Sequence, residues 1–146
     1  MDSERKLTKK GREEIAAVAR WMVDQEIQID MIAASPLARA QETAEIVART
    51  LGVRDKVVSW KILAPGGDPE TVCIQTGHHP DSEAILLVGH EPLLSSLISR
   101  IIAGDRHAGI AMTKGALAKI RHFSGADLPA GELVWLITAK QMGGAK

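Results

Sequence analysis

One histidine of this chain directly follows an apolar strand and precedes a helix. The run Ala84–Val88 is entirely apolar and predicts a strand buried on both faces, as in a parallel sheet. Gly89 then allows a sharp turn, and Leu93–Ala103 has the apolar spacing of a helix. His90 is therefore expected at the carboxyl end of a strand, where open α/β sheets bind ligands. Its imidazole could act as base, acid, metal ligand or phosphate donor, and an ordinary loop histidine is the alternative.

A serine and an arginine follow a second strand in the same way. Ile29–Ala34 predicts a strand, and Leu37–Leu51 predicts a helix that ends at Gly52. Ser35 and Arg39 then lie at the amino end of that helix, where free N–H groups and the helix dipole favour an anion. A positive arginine there opposes the dipole. A bound phosphate would resolve the conflict, because a guanidinium offers two parallel donors to phosphate oxygens.

Structural roles remain open for the same side chains. Arg39 could be an ordinary surface arginine that pairs with Glu42 or Glu45. Ser35 and Thr43 could be capping and packing residues. The sequence alone leaves both interpretations standing.

The other elements predict how these segments are positioned. Helices and strands alternate, which is typical of a three-layer α/β/α fold with a mostly parallel sheet and helices on both faces. If their strands are neighbours, Arg39 and His90 converge on one pocket. Such a pair suits phosphoryl transfer, because the negative charge on the transferred oxygens needs fixed positive hydrogen-bond donors. The last two strands have no helix between them and predict an antiparallel edge. The further predicted elements are a helix near 8–26 capped by Thr8, a weak strand Lys56–Lys61, a loop Leu63–Pro69, a helix Pro69–Thr76, a polar stretch Gly104–Gly115, and strands Ala116–Phe123 and Glu132–Thr138.

Composition predicts one domain, residues 1–146, and excludes several classes of partner. The 18 Lys and Arg residues balance the 18 Asp and Glu residues, so no basic excess indicates nucleic acid or an anionic membrane. Neither a membrane-spanning run nor a secretory leader at Met1 is expected, which favours a cytoplasmic protein.

Cys73 is the single cysteine, so no intrachain disulfide can form. A metal site at the adjacent pair His78 and His79 is disfavoured, since neighbours in a turn rarely bind one ion together.

Five segments, in order, resemble one known family. Ser35–Ala44 (SPLARAQETA) and Val88–Pro92 (VGHEP) are similar to the second and third blocks of the histidine phosphatase superfamily. Arg5–Gly11, Ala64–Asp68 and Met112–Ala116 resemble its small bacterial SixA-type branch, whose members remove phosphate from phosphohistidine in signalling proteins. Each block alone is weak evidence for the family, but five blocks in the same order and at suitable spacing are a specific match.

The resemblance implies roles for the residues singled out above. Arg39 and His90 would be catalytic pocket residues, and the phosphate would be bound by Ser35, Arg39, Thr43, Gly89 and His90. It implies no metal or other cofactor. A phosphoryl group would pass to a nucleophilic histidine and then to water.

The family's nucleophile lies in an Arg-His-Gly block that ends a first strand, before the segment matching Leu7–Gly11. Residues 1–6 hold no such block, so this strand is expected to be missing. Three explanations stay open: a misassigned start codon, a shortened form or paralogue that binds phosphate without turnover, or a partner chain that supplies strand and histidine. A sheet lacking that strand should pair with another copy or exchange strands.

The general acid and the exact activity are also open at this point. Glu91, Asp68 and Glu70 are candidate acids, with plain loop carboxylates as the alternative. The leading hypothesis is a phosphohistidine phosphatase acting on a histidine-phosphotransfer domain. A phosphatase for small phosphate esters and a non-catalytic phosphate- or phosphoprotein-binding module are the other two.

Overall fold

Four α-helices flank five strands in the computed structural model, which describes residues 2–143. Met1 and residues 144–146 of the predicted domain lie outside the described residues. The helices are α1 (Lys9–Asp24), α2 (Ala38–Leu51), α3 (Pro69–Gly77) and α4 (Leu93–Ala103). The strands are β1 (Met31–Ala34), β2 (Val57–Ser59), β3 (Ile85–Val88), β4 (Leu117–Ser124) and β5 (Ala130–Ile137), and single 3-10 turns occupy Asp2–Glu4, Arg54–Lys56 and Lys61–Leu63.

Capping residues set the ends of the helices close to where the sequence predicts them. The Thr8 hydroxyl accepts the Gly11 N–H at 3.0 Å and begins α1, while the Asp68 carboxylate accepts the Thr71 N–H and begins α3. Gly52, at a φ of 75°, ends α2 in the left-handed conformation. The predicted first helix is two residues too long at its C-terminal end, because Glu26 adopts a positive φ of 59°.

The three parallel strands form one sheet in the order β2-β1-β3. Its central strand is the most buried, with Ile32, Ala33 and Ala34 all at 0% exposure. This strand begins two residues later than predicted. The Asp30 carboxylate instead accepts the N–H groups of Glu83 and Ala84, which fixes the start of β3 beside that of β1.

The last two strands form a separate antiparallel pair, so the predicted antiparallel edge of the main sheet is wrong. Among the described residues β4 and β5 bond to each other and not to β3. The register shifts twice along β4, and His122 within it has a positive φ of 57°. The hairpin turn is shorter than predicted because β5 already begins at Ala130, which pairs with Ser124.

The prediction that β3 is buried on both faces is also wrong. All four of its residues are only half-buried, although each is apolar. The strand is bonded to β1 on one side and lies at the edge of its sheet. An edge strand has a row of backbone groups without strand partners, and its side chains lack neighbours on that side.

Two apolar clusters give the three layers predicted from the sequence. α1 and α2 pack on one face, in a cluster that also contacts Leu86, Val88, Leu117 and Ile137. α3 and α4 contribute the cluster on the other face, which contacts Leu87 and Ile120. Both strand groups therefore lie in the same middle layer, although no ladder joins them among the described residues.

Candidate active site

The carboxyl ends of β1 and β3 lie side by side and bring two predicted site residues into contact. Ala34 is the register partner of Val88, and the Ser35 N–H donates to the Val88 carbonyl at 2.9 Å. Ser35, one residue after Ala34, then meets His90, two residues after Val88: Ser35 Oγ lies 2.8 Å from His90 Nε2. Ser35 is fully buried and His90 is half-buried. Parallel strands place their carboxyl ends at one edge of a sheet, and this contact is the result.

Arg39 lies in the first turn of α2, half-buried, at the same edge of the sheet. The Glu42 carboxylate, one of its two suggested surface partners, accepts the Leu7 N–H at 2.9 Å and lies 3.5 Å from the Arg12 guanidinium. No acidic residue occupies the first turn of α2. The amino end of this helix therefore combines its positive dipole end with a cationic side chain.

Thr43 and Gly89 have contacts that sequence reasoning did not specify. The Thr43 hydroxyl donates to the Arg39 carbonyl at 2.8 Å, within the same helix. Gly89 is not among the glycines with a positive φ, so the turn after β3 does not use the left-handed conformation that favours glycine. A Cβ there would lie 3.4 Å from the Leu94 side chain and 3.6 Å from the Leu63 carbonyl, which are ordinary contact distances, so the space around Gly89 does not require a glycine.

Gln41 is a site residue that sequence reasoning missed. Its side-chain amide donates to the Ser35 carbonyl at 2.7 Å and to the Ser59 hydroxyl at 3.3 Å. It thereby ties the β1–α2 turn to the end of β2. No local signal could have revealed this, because Ser59 lies 18 residues away in the sequence.

Comparison with known proteins identifies the family. Residues 1–64 match the family model of the histidine phosphatase superfamily, branch 1. An uncharacterized protein of Picosynechococcus is 30% identical over 123 residues, covering 82% of this chain and 73% of that protein. Phosphohistidine phosphatase SixA of Escherichia coli is 29% identical over 106 residues, covering 71% of this chain and 66% of that protein. The chain belongs to the histidine phosphatase superfamily.

The fold agrees with the SixA-type branch of that superfamily. The solved structure of the protein histidine phosphatase SixA complexed with tungstate superposes with a TM-score of 0.87 at 24% identity. The match covers 97% of this chain and 89% of that one. The sequence alignment with the Escherichia coli protein spans just under two thirds of that protein's length.

The three candidate general acids, Glu91, Glu70 and Asp68, each bond to a neighbouring side chain. Glu91 accepts the Ser95 N–H at 2.8 Å and the Ser95 hydroxyl at 2.5 Å, at the start of α4. Glu70 pairs with Arg100 and so links α3 to α4.

Asp68 combines a helix cap with an ion pair. It caps α3 and pairs with Arg106. Burial raises the pKa of the Asp68 carboxyl, but the hydrogen bonds from Thr71 and Arg106 outweigh it, so its pKa lies below the ordinary value. A carboxyl in this state is ionised at neutral pH and suits anchoring better than proton donation.

The other four histidines differ in their exposure and contacts. His78 and His107 are exposed, and His122 on β4 faces Glu132 at 3.8 Å. His79 is not the solvated loop residue that the sequence predicts. Its ring stacks on Trp60 with centroids 5.5 Å apart, and its Nε2 is buried without a hydrogen bond.

The described residues contain neither a metal-binding cluster nor a membrane-length apolar helix. No group of three His, Cys, Asp or Glu side chains within residues 2–143 has the geometry to hold a metal ion. None of the helices in the same range combines the length and apolarity of a membrane span. A groove of about 490 Å³ runs between α1 and α2, with Arg12, Glu45 and Arg49 on its rim, and is separate from the Ser35–His90 contact.

Proposed function

We propose that this protein is a phosphohistidine phosphatase whose phosphate pocket is formed by Arg39 and His90. The observation that carries the proposal is the 2.8 Å contact between Ser35 and His90, which joins the two sequence blocks at one edge of the sheet. The relationship to Escherichia coli SixA, named as a phosphohistidine phosphatase, supports the same activity. A phosphoryl group would sit between the amino end of α2 and the His90 ring.

Each residue has a physical role in this proposal. The Arg39 guanidinium would bind two phosphoryl oxygens and neutralise the charge that spreads over them in the transition state. His90 would donate a further hydrogen bond to the same group. Ser35, Thr43 and Gly89 would complete the pocket around these two residues. The Ser35 hydroxyl bonds the His90 ring, the Thr43 hydroxyl bonds the Arg39 carbonyl, and Gly89 leaves the backbone next to His90 without a side chain.

The covalent step needs a histidine nucleophile, which the family resemblance places in an Arg-His-Gly block. No such block occurs in residues 1–146. This observation favours a second candidate function for these residues: binding a phosphate or phosphoprotein without turnover. The residues described here would then supply recognition and charge neutralisation, and the phosphoryl-accepting role is assigned to none of them.

The proposed substrate is a phosphorylated histidine-phosphotransfer protein. The stretch between Arg39 and His90 consists of the rest of α2, the short strand β2, α3, β3 and their connections, with no inserted domain that could form a cap over the pocket. An uncovered pocket can admit a histidine on the surface of another protein. Small phosphate esters are the alternative substrate.

Turnover and binding assays together distinguish these functions. Phosphate release from a phosphorylated histidine-phosphotransfer domain and from p-nitrophenyl phosphate should be measured beside tungstate binding by calorimetry. We expect micromolar-to-millimolar tungstate binding and a preference for the phosphoprotein. Binding with no release from either substrate would indicate the non-catalytic module, and release from the ester alone would indicate the small-molecule enzyme.

A pair of arginine variants tests the pocket itself. Arg39→Ala should weaken tungstate binding roughly 10- to 100-fold, because hydrogen bonds from a charged donor contribute about 1.5–3 kcal/mol. Arg121→Ala is the matched control: Arg121 is an exposed arginine on β4, paired with Glu132 at 2.8 Å. Equal affinity in the Arg39 variant and the control would contradict the assigned pocket.

We further propose that β3 pairs with a strand from a second copy through its open edge. The backbone bonds to β1 run through Ala84 and Val88, so the N–H groups of Ile85 and Leu87 face away from β1. Sedimentation should show a concentration-dependent dimer. In the dimer the Leu87 amide should exchange slowly, as is also expected of the Leu86 amide on the side that pairs with β1. A monomer with a fast Leu87 amide would contradict strand pairing.

A cytoplasmic location is part of this proposal. The single cysteine, Cys73, is a free and buried thiol, which suits a reducing compartment. Fractionation of cells that express the tagged protein should recover it with cytoplasmic markers, and recovery in the membrane pellet would contradict this.

A further inference from the structure

We infer that Ser35 is a positioning residue: its hydroxyl holds His90 in the tautomer that carries the proton on Nδ1. The inference rests on the proposed function in one respect, since it takes His90 as the phosphate-binding histidine. It differs from a role for Ser35 in contacting the substrate. Ser35 would act on the phosphoryl group through the His90 ring.

The contact has the geometry of a strong, shielded hydrogen bond. Ser35 Oγ and His90 Nε2 are 2.8 Å apart, and Ser35 is at 0% exposure. Water therefore has little access to compete for the hydroxyl. A buried hydroxyl without a partner costs about 1–3 kcal/mol, so the bond is expected to persist.

The hydrogen-bonding capacity of the hydroxyl decides which atom donates. Ser35 Oγ already accepts the Leu37 N–H at 3.3 Å. If His90 Nε2 also donated, the hydroxyl would accept twice, and its own proton would have no acceptor among the described residues. If the hydroxyl donates to Nε2, each of the three groups is satisfied. Nε2 is then unprotonated, and the proton of the neutral ring is on Nδ1.

The backbone around Ser35 is fixed tightly enough to hold this arrangement. The Ser35 N–H is bonded to the Val88 carbonyl at 2.9 Å, and the Ser35 carbonyl accepts the Gln41 side chain at 2.7 Å. The hydroxyl therefore projects from the end of the buried central strand rather than from a loose loop. Sites held by such elements keep their geometry better than sites on mobile loops.

A fixed tautomer matters because it decides which ring nitrogen can donate to an anion. With Nε2 engaged as an acceptor, Nδ1–H is the donor that the neutral ring offers to a phosphoryl oxygen. In water, free neutral imidazole of histidine favours the Nε2–H form. Ser35 would thus hold His90 in the otherwise minor form, ready to bind phosphate.

Nitrogen-15 NMR of the imidazole rings, with Ser35→Ala and Ser35→Thr variants, tests the inference. In the unsubstituted chain, at a pH where the ring is neutral, His90 should show a protonated Nδ1 and an unprotonated Nε2. Ser35→Ala should shift this pattern toward Nε2–H and weaken tungstate binding about 3- to 10-fold, the effect of one hydrogen bond. Ser35→Thr keeps the hydroxyl and should restore both readouts.

Ser99→Ala is the matched control. Ser99 is the other fully buried serine, and its hydroxyl bonds the Asp105 carbonyl at 2.6 Å and the Ala108 N–H at 2.9 Å, in a different part of the fold. Its removal should leave the His90 signals unchanged. If Ser35→Ala does not fold, Ser35→Cys preserves the volume with a much weaker donor and should show the same shift of tautomer.

The outcomes separate this inference from the proposed function. An Nε2–H ring in the unsubstituted chain, or an unchanged ring in a folded Ser35→Ala or Ser35→Cys variant, overturns the positioning role even if tungstate binds. An Nδ1–H ring that changes in these variants supports it, even if the protein binds no tungstate and the proposed function fails.

Discussion

The Leu7 backbone N–H donates to the Glu42 carboxylate at 2.9 Å, across 35 residues of sequence. Arg12 reaches the same carboxylate from α1 at 3.5 Å and also donates to the Leu7 carbonyl at 2.7 Å. One acidic side chain on α2, three residues after Arg39, thus holds the segment ahead of α1. The helix that carries the candidate phosphate-binding arginine is thereby fixed to the start of the described chain.

We expect Glu42→Ala to lower the free energy of unfolding by about 1–2 kcal/mol, because it removes a hydrogen bond to a charged acceptor and a half-exposed ion pair. Glu42→Gln keeps an oxygen acceptor for the Leu7 N–H and should lose less. Urea unfolding followed by circular dichroism measures both. Equal stability of the alanine variant and the unsubstituted chain would show that this anchor contributes nothing.

Replacing Gln41 should loosen the turn that carries Ser35. Gln41→Ala removes both bonds of the side-chain amide and leaves the Ser35 carbonyl without that donor, so we expect a loss of about 1 kcal/mol. Ser59→Ala removes only the longer bond and should cost less. Thermal unfolding ranks the two variants, and a larger loss for Ser59→Ala would mean that the Ser35 carbonyl bond is not the important one.

Asp68 should stabilise the fold as a carboxylate, and this stabilisation should depend on pH. Its pKa is below the ordinary value in the folded state, so its contribution is present above the unfolded pKa and is lost as pH falls through the folded pKa. Asp68→Ala should cost about 1 kcal/mol at pH 7 through loss of the cap. Asp68→Asn keeps a capping oxygen and should cost less, because the Asp68–Arg106 ion pair is half-exposed.

The stability gap between Asp68→Asn and the unsubstituted chain should be constant from pH 7 to pH 5 and should narrow below the ordinary carboxyl pKa of 3.8. Urea unfolding midpoints of both proteins, measured across this pH range, show whether the stability difference narrows or widens as the pH falls. A gap that widens as the pH falls would mean that the folded state favours the protonated acid. The same Asn variant should retain any phosphatase turnover, since a proton donor at this position is not expected.

Cys73 should be inert in the folded protein. Burial raises the pKa of its thiol to about 11, and the neighbouring Glu70 charge acts in the same direction. At pH 8 the reactive thiolate is therefore scarce, and the side chain is only 1% exposed. Labelling with a disulfide reagent should be at least ~100-fold slower than for a free thiol and should become fast in urea. Fast labelling of the folded chain would contradict both the burial and the raised pKa.

Local sequence signals predicted most of the secondary structure, because the forces that define helix ends act over a few residues. Thr8, Gly52 and the apolar spacing of Leu93–Ala103 place three helices within two residues of their observed bounds. Strand ends were less accurate. The Asp30 carboxylate accepts the N–H of Ala84 just before β1, and Ala130 at the start of β5 pairs with Ser124. Each partner is more than five residues away in the sequence, so no local pattern reveals where these strands begin.

The sequence by itself determined the alternation of helices and strands, the family, and the position of His90 and Arg39 just beyond two strand ends. These features depend on residue type and spacing, which the chain carries locally. Only the tertiary structure decided that β1 and β3 are neighbours, that Ser35 contacts His90, and that β3 is a half-buried edge strand. Strand order and burial arise from how distant segments pack together, and a buried apolar strand and an apolar edge strand have the same local sequence pattern.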